Sequence, residues 1–353
     1  MQKPLTFALM GCGRIAVRHA DVLAASEFGT LAAVCDVVPA RAAALGERHG
    51  VPWFTDIDEL IRVVTPDVVS VLTPSGLHAE HVLQLVGKAP TIVVEKPMAL
   101  RLVDADRMIA RCAESGTRLF VVQQNRFNKA IVKLRQALDE GRFGKMVMGT
   151  VRVRWCRPQA YYDQDAWRGT WAMDGGVLAN QASHHVDMLQ WMMGQPTTVF
   201  ARAATRLVDI ETEDTAAAVL TFAGGALGIV EATTATRPKD LEGSISILGE
   251  RGTVEVGGFA MNEIRVWQFR DARPGDEAVT LAHREMPENV YGFGHRQFLK
   301  HVADCVTGGG PALIDGIEGR KSLELLCAIY ESIETERVVR VTDEPRRCRL
   351  GER

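Results

Sequence analysis

Between residues 5 and 125 the chain alternates two patterns: short unbroken apolar runs, and longer stretches in which apolar residues recur every three or four positions. The first pattern predicts buried strands and the second amphipathic helices. Thus "TFALMG" reads as a strand ending in a glycine turn, "RIAVRHADVLAAS" as a helix, "TLAAVCD" as a strand and "PARAAALGERHG" as a helix closed by glycine. "DVVSVLTPSG", "TIVVEKP" and "RLFVVQQN" predict further strands, separated by helices over "LHAEHVLQLVGKA" and "LVDADRMIARCAESG". Strands this apolar on both faces, with helices between them, predict a parallel sheet wrapped by helices.

Near residue 123 the pattern changes. A helix over "AIVKLRQALDEGRFG" leads into "KMVMGTVRVRW", where valines alternate with Arg152 and Arg154 as on a strand with one polar face. "TVFARAATRLV", "TAAAVLTFAGGALGIVEATTAT", "GSISILGERGTVEVGG" and "EIRVWQFR" follow without helices between them, folded back at Gly224-Gly225 and at "GERG". Such a succession predicts a large, mostly antiparallel open sheet. "DARPGDEA" reads as a polar loop, and "GHRQFLKHVADCVTG" and "EGRKSLELLCAIYESI" as closing helices. The expected fold class is α/β: a parallel-sheet domain over residues 1–122, then an α+β domain over 123–353.

Composition narrows the partners. At 353 residues, 46% hydrophobic and 24% charged, the chain can bury the core of two domains. A formal net charge of -3 without a long basic run gives no general attraction to nucleic acid or a membrane surface, so any anion must be bound locally. Seven scattered cysteines, never spaced as CxxC, argue against a disulfide framework or a zinc site and fit a reducing cytoplasm. The opening "MQKPLTFALMGCGRIAVR" reads as a first strand rather than a leader, because Arg14 interrupts the apolar run and no small-residue cleavage site follows.

Between the first strand and helix stands "GCGRIA", with Gly11, Gly13 and, where a third glycine is usual, Ala16. Gly11 permits the tight turn, Gly13 admits a pyrophosphate close to the backbone, and the free N–H groups of the helix (Arg14, Ile15) face the phosphates. The next strand ends in Asp36, whose carboxylate can accept hydrogen bonds from both adenosine ribose hydroxyls and would repel a 2'-phosphate; NAD is therefore the expected cofactor. Arg41 is the residue that bears against that choice. The loops "TPSGLH" (Thr73, Pro74, His78) and "EKP" (Glu95, Lys96) follow strands and should face the same crevice. Lys96 has two readings, a structural ion pair or a donor that stabilises a developing alkoxide.

In the stretch "DGGVLANQASHHVDML" (174–189), Gly175-Gly176 ends the preceding loop, and "VLANQASHHVDMLQWMMG" is helical in composition and stops at Gly194. Residues three and four apart share a helix face, so Asn180, His184 and Asp187 should form one polar stripe with His185 turned away by about 100°. His184 can then be a core histidine satisfied by Asp187 or a working imidazole. One histidine and one carboxylate are too few for a metal, and no metal is expected.

"GCGRIA", "TPSGLH", "EKP" and the "GG...N...H..D" helix, in this order, resemble the glucose-fructose oxidoreductase, inositol dehydrogenase and MocA family (Gfo/Idh/MocA), over nearly the whole chain. The resemblance implies a Rossmann domain followed by a domain with a large open sheet whose outer face commonly mediates dimers or tetramers. It also implies reacting groups at Lys96 and His184. One departure is Asn180, where the family often has an aspartate that could charge the imidazole. "NQASHHVD", "RPQAYYDQDAWRGTW", "EGSISILGERGTVEVGG" and "VYGFGH" are similar to the branch that oxidises the C3' hydroxyl of UDP-N-acetylglucosaminuronic acid for bacterial cell-surface polysaccharide. A uronate and a diphosphate need cations, which Arg126, Lys129, Arg154 and Arg157 would supply. Tyr161 and Tyr162 would pack against a sugar or uracil ring. Asn125, Asn180 and His295 are also expected at the substrate, with Tyr291 beside His295. Gln124, and the Trp167-Arg168 pair that the family sets against the cofactor, are expected at NAD. Another NAD-dependent sugar or polyol dehydrogenase, or a non-enzymatic NAD-binding regulator, are the alternative readings.

Overall fold

The apolar runs of the first half become the strands of a six-stranded sheet. In the computed structural model, which describes residues 4–286, 292–341 and 348–352, these are β1 (Leu5–Met10), β2 (Gly29–Cys35), β3 (Trp53–Phe54), β4 (Val68–Val71), β5 (Thr91–Val94) and β6 (Arg118–Val121). They lie in the order β3-β2-β1-β4-β5-β6, every pair parallel. The connecting helices are α1 (Arg14–Ala24), α2 (Pro39–His49), α3 (Ile57–Val64), α4 (His78–Leu85) and α5 (Leu102–Ser115). The order reverses between β1 and β4, and a crevice beyond the carboxyl ends of those two strands is where such sheets take a ligand. The structure adds β3 and α3, one alternation more than the apolar pattern of this half predicts. β3 has only two residues, too few for a period to show.

After α6 (Lys129–Asp139) come β7 (Met146–Arg154), α7 (Gln159–Tyr162) and α8 (Ser183–Met193). Then follow β8 (Pro196–Ala204), β9 (Thr215–Phe222), β10 (Leu227–Thr233), β11 (Glu242–Gly249), β12 (Gly252–Gly257) and β13 (Glu263–Phe269). The chain continues through α9 (Val279–Ala282), α10 (Gly294–Gly308), α11 (Gly316–Thr335) and β14 (Val339–Arg340). Eight of these strands form one sheet in the order β13-β12-β11-β7-β10-β9-β8-β14, antiparallel except for β7 beside β10. α8 covers one face: a Cβ built on Gly149 of β7 would stand 2.8 Å from the side chains of Leu189 and Met193. Val151 and Val153 share that buried face, and the alternation turns Arg152 and Arg154 to the other.

The chain does not divide once, at residue 123. Its two compact units are residues up to Gln123 together with His295–Arg320, and Gln124–Gly294 together with Lys321 onward. The returning segment closes the exposed edge of β6: the Val121 N–H donates to Ile314 O (3.1 Å), Phe120 bridges Asp315, and the Arg118 guanidinium donates to Gly310 O (2.8 Å). An unpaired strand edge is a liability, and a segment from far along the sequence removes it here. Among the described residues no helix is long and apolar enough to cross a membrane.

Candidate active site

In the first unit the glycine turn has the form the sequence requires. Gly11 sits at φ +98°, and a Cβ there would lie 2.8 Å from Leu72 O, so both conformation and space exclude a side chain. Gly13 opens α1 in extended conformation with no side-chain cap, and nothing lies within 4 Å of where its Cβ would stand. Uncapped N–H groups beside open space suit a phosphate. Asp36 is held by two backbone donors, Cys12 N–H to Oδ2 (2.7 Å) and Val38 N–H to Oδ1 (2.9 Å), and remains partly exposed. Its charge is thereby fixed at the end of β2, beside the glycine turn, where the ribose of a dinucleotide is read. Arg14, Ile15, Thr73 and Pro74 keep accessible surface around this turn and the next loop. Arg41 is exposed on α2.

Two of the expected cofactor contacts are instead supports. His78 is buried, with Nδ1 2.8 Å from Pro97 O and Nε2 2.8 Å from Thr73 O, so its ring ties the "TPSG" loop to the "EKP" loop. Burial holds its pKa below the usual histidine value against the pull of the two carbonyls, and a neutral ring can donate to only one of them. Glu95 is also buried: Oε2 accepts the Lys96 backbone N–H (3.1 Å), and Oε1 lies 3.2 Å from His19 Nε2 and 3.8 Å from His295 Nε2. Burial alone would raise this carboxyl. The hydrogen bond from His19 and the nearby His295 ring outweigh it and hold the group well below its ordinary value. Lys96 itself keeps accessible surface directly after β5. His295, expected at the substrate, is thus a buried neighbour of Glu95; Tyr291 lies outside the described residues.

In the second unit the polar stripe is broken. Residues 177–181 form a π-turn, closed by Ala182 N–H to Val177 O (2.7 Å), and α8 begins only at Ser183. The wider turn takes Asn180 out of register with His184. Asn180 donates to Asp174 and accepts from Gln181 (2.7 Å). Asp187 is fully buried in a bidentate pair with Arg126, at 2.7 and 2.8 Å, and that guanidinium lies 4.8 Å over the Trp191 ring. One partner of His184 is Gln124, whose Nε2 stands 3.1 Å from His184 Nε2. An amide N–H donating there leaves the ring nitrogen unprotonated, the state a base needs. His185 is buried edge-on against Trp155, ring centroids 5.6 Å apart.

Most of the expected substrate cations are already matched by carboxylates. Arg126 belongs to Asp187. Arg154 lies on the sheet face away from α8, bound to Glu231 (2.6 Å) and Glu242 (3.2 Å), and Arg157 is bound to Asp240 (3.0 Å). Lys129 stands 3.5 Å from Glu285 with most of its surface exposed. Tyr162 is core: its hydroxyl meets Thr234 at 3.1 Å, and burial raises its pKa to about 12. Tyr161 keeps accessible surface, and its oxygen accepts from Arg168 (2.9 Å) and Gln181 (3.0 Å). Arg168 also lies 4.4 Å over the Trp167 ring. Asn125 and Gln124 are buried on the turn before α6.

Sequence reasoning missed His19, Gln181, Asp174 and Glu213. A Cβ on Gly176 would lie 2.3 Å from Glu213, so this carboxyl packs against the backbone that starts the π-turn; its Oε1 accepts from Leu178 N–H (3.0 Å) and the Tyr330 hydroxyl (2.9 Å). His19 had a signal in its place on the apolar face of α1; Asp174 and Gln181 stand in the 174–189 stretch without a spacing that singles them out, and Glu213 is joined to it only by folding.

Comparison with known proteins gives this architecture its relatives. Residues 5–123 match the Gfo/Idh/MocA model described as the oxidoreductase family's NAD-binding Rossmann fold, and residues 135–341 match its C-terminal alpha/beta domain. Among solved structures, the chain is similar to the WlbA dehydrogenase from Bordetella pertussis in complex with NADH and UDP-GlcNAcA. That likeness is 39% identity and TM-score 0.89, over 97% of this chain and 99% of that one. The WlbA dehydrogenase from Chromobacterium violaceum, in the same type of complex, is 41% identical with TM-score 0.91, over 97% of each chain. A more distant relative is the myo-inositol 2-dehydrogenase of Thermotoga maritima, 27% identical over 96% of this chain and 99% of its own. The nucleotide of the matched Rossmann fold is NAD. With the Rossmann unit and the open-sheet unit both matched, the chain belongs to the Gfo/Idh/MocA oxidoreductase family.

Proposed function

We propose that this NAD-dependent dehydrogenase oxidises the C3' hydroxyl of UDP-N-acetylglucosaminuronic acid to a ketone. The observation that carries the reading is the likeness, at 39% and 41% identity over 97% of the chain, to two dehydrogenases held with NADH and that sugar nucleotide. Bound NAD would supply the acceptor for the hydride of the alcohol carbon. Lys96 donates a hydrogen bond to the alcohol oxygen and stabilises the negative charge that grows on it. His184, with Nε2 as acceptor, takes the hydroxyl proton. Gln124 lies 3.1 Å from that same nitrogen, whose single lone pair must leave the amide N–H when the substrate hydroxyl takes its place. Tyr161, Arg168 and Gln181 form a hydrogen-bonded polar patch that we assign to the substrate or the cofactor; Arg168 is also paired with a carboxylate, Asp165 at 3.3 Å, as Arg126, Arg154 and Arg157 are with theirs.

The test mixes the purified chain with NAD and UDP-N-acetylglucosaminuronic acid, with and without a 2-oxo acid to reoxidise tightly held NADH. NADH absorbance, or conversion with the acceptor present, together with a product two mass units lighter, is expected. His184→Asn should lower kcat by about a hundredfold or more while NAD affinity is kept. A second reading has its own support in the inositol dehydrogenase relative. Turnover of myo-inositol, with the sugar nucleotide inert under both conditions, would replace the first reading by the second.

A further inference from the structure

Behind the "EKP" loop three polar side chains from distant parts of the sequence meet in the core of the first unit. His19 on α1 is 0% exposed, His295 on α10 is 1% exposed, and Glu95, the residue after β5, is 7% exposed. The imidazoles meet edge-on, centroids 5.5 Å apart and planes at 69°, and both present Nε2 to the same oxygen of Glu95. The other oxygen of Glu95 accepts the backbone N–H of Lys96.

A buried carboxylate costs several kcal/mol unless its lone pairs are met, and an apolar residue of similar volume would fill this space without that cost. The charge is kept where the adjacent residue is the lysine. An ionised carboxylate can only accept, so His19 Nε2 must carry its hydrogen, and the pair is a directed N–H to O⁻ bond. α10 enters this unit at His295 and so helps to complete the arrangement from far along the chain. Three potential ligand atoms lie within 4.8 Å of one another, but no fourth histidine, cysteine or carboxylate among the described residues joins them. The 3.2 Å contact is moreover a hydrogen bond in its own right. A closed structural zinc site would need four ligands.

We infer that His19 and His295 are positioning residues for Lys96: they lock the Glu95 carboxylate, which holds the lysine backbone and so fixes where its ammonium is presented. The inference rests on the reading of Lys96 as the group that meets the alcohol oxygen. A misplacement of about 1 Å in such a group can lower the rate about a hundredfold.

The experiment uses the full chain with NAD and UDP-N-acetylglucosaminuronic acid, and compares His19→Leu, His19→Gln and Lys96→Met with the parent. Hydrogen exchange of the Lys96 amide is measured beside steady-state kinetics. Leucine removes the donor and glutamine keeps an N–H at nearly the same place. His19→Leu is expected to speed exchange at Lys96 at least tenfold and to lower kcat by about ten- to a hundredfold, with KM for NAD within twofold; His19→Gln should recover most of both. If His19→Leu fails to fold, His295→Leu and His295→Gln are read in the same way. Parent-like exchange and kcat in a folded leucine variant would overturn the inference, as would a glutamine variant that folds but restores neither, or stoichiometric zinc in the purified parent. Unchanged turnover in Lys96→Met would instead remove the lysine from the chemistry, and Lys96 exchange would then decide the positioning alone.

Discussion

Asp36 accepts from two backbone N–H groups, so in the proposed role at the ribose it would be oriented before binding, without side-chain freedom to lose. Hydrogen bonds to a charged group contribute about 1.5–3 kcal/mol, so Asp36→Ala should weaken NAD by about ten- to a hundredfold, with a far smaller effect on the sugar nucleotide. Calorimetric titration of each ligand checks this; equal losses for both would contradict it. Arg126 and Asp187 are a different kind of charged pair, sealed from solvent on both sides. Removing one member strands a buried charge, and Arg126→Met should lower stability by about 3–5 kcal/mol. Arg126→Met with Asp187→Leu should recover much of that loss. Urea denaturation of the two variants distinguishes this from a simple packing defect, in which the second substitution would add to the first.

The element that aims His184 is the join of the π-turn to α8, and it stands on Glu213. Burial lifts this carboxyl to about 7, against the opposing hydrogen bonds from Leu178 N–H and Tyr330. The folded value lies above the ordinary one of 4.5, so the native state keeps a proton that the unfolded chain has lost. Its contribution is fully present below the unfolded value and is lost as pH rises through about 7. The loss is on the order of 3 kcal/mol. Glu213→Gln cannot titrate, and should flatten the fall in melting temperature between pH 5 and 7.5. An unchanged slope would assign that fall to other groups. Gly176→Ala would bring a methyl group into Glu213 and should destabilise by about 1–3 kcal/mol, read as a lower urea midpoint with the slope of the transition kept.

At the scale of the whole molecule, the nucleotide-binding unit is not a contiguous piece of chain. Residues 1–123 alone leave the β6 edge unpaired and Glu95 without His295, so that fragment should aggregate or show poor amide dispersion. The same fragment joined by a short linker to residues 295–320 should fold and bind NAD; identical behaviour of the two would argue against the return segment. Here the reach of sequence reasoning shows its limit. The alternation of patterns, the glycine turn and the acid after β2 were legible because each is a local periodicity or a motif of fixed spacing, and backbone hydrogen bonding turns such patterns into strands, turns and helices directly. Arg126 with Asp187, Arg154 with Glu231 and His19 with Glu95 were not legible. A charge chooses its partner by distance in space, and that distance is set by how the sheets pack, so the arginines that read as a substrate site became ion pairs. The amino-acid order by itself determined two sheets, a nucleotide turn and two candidate reacting groups. Tertiary structure alone decided which polar groups support them, because a buried hydrogen bond forms only where folding brings donor and acceptor within about 3 Å.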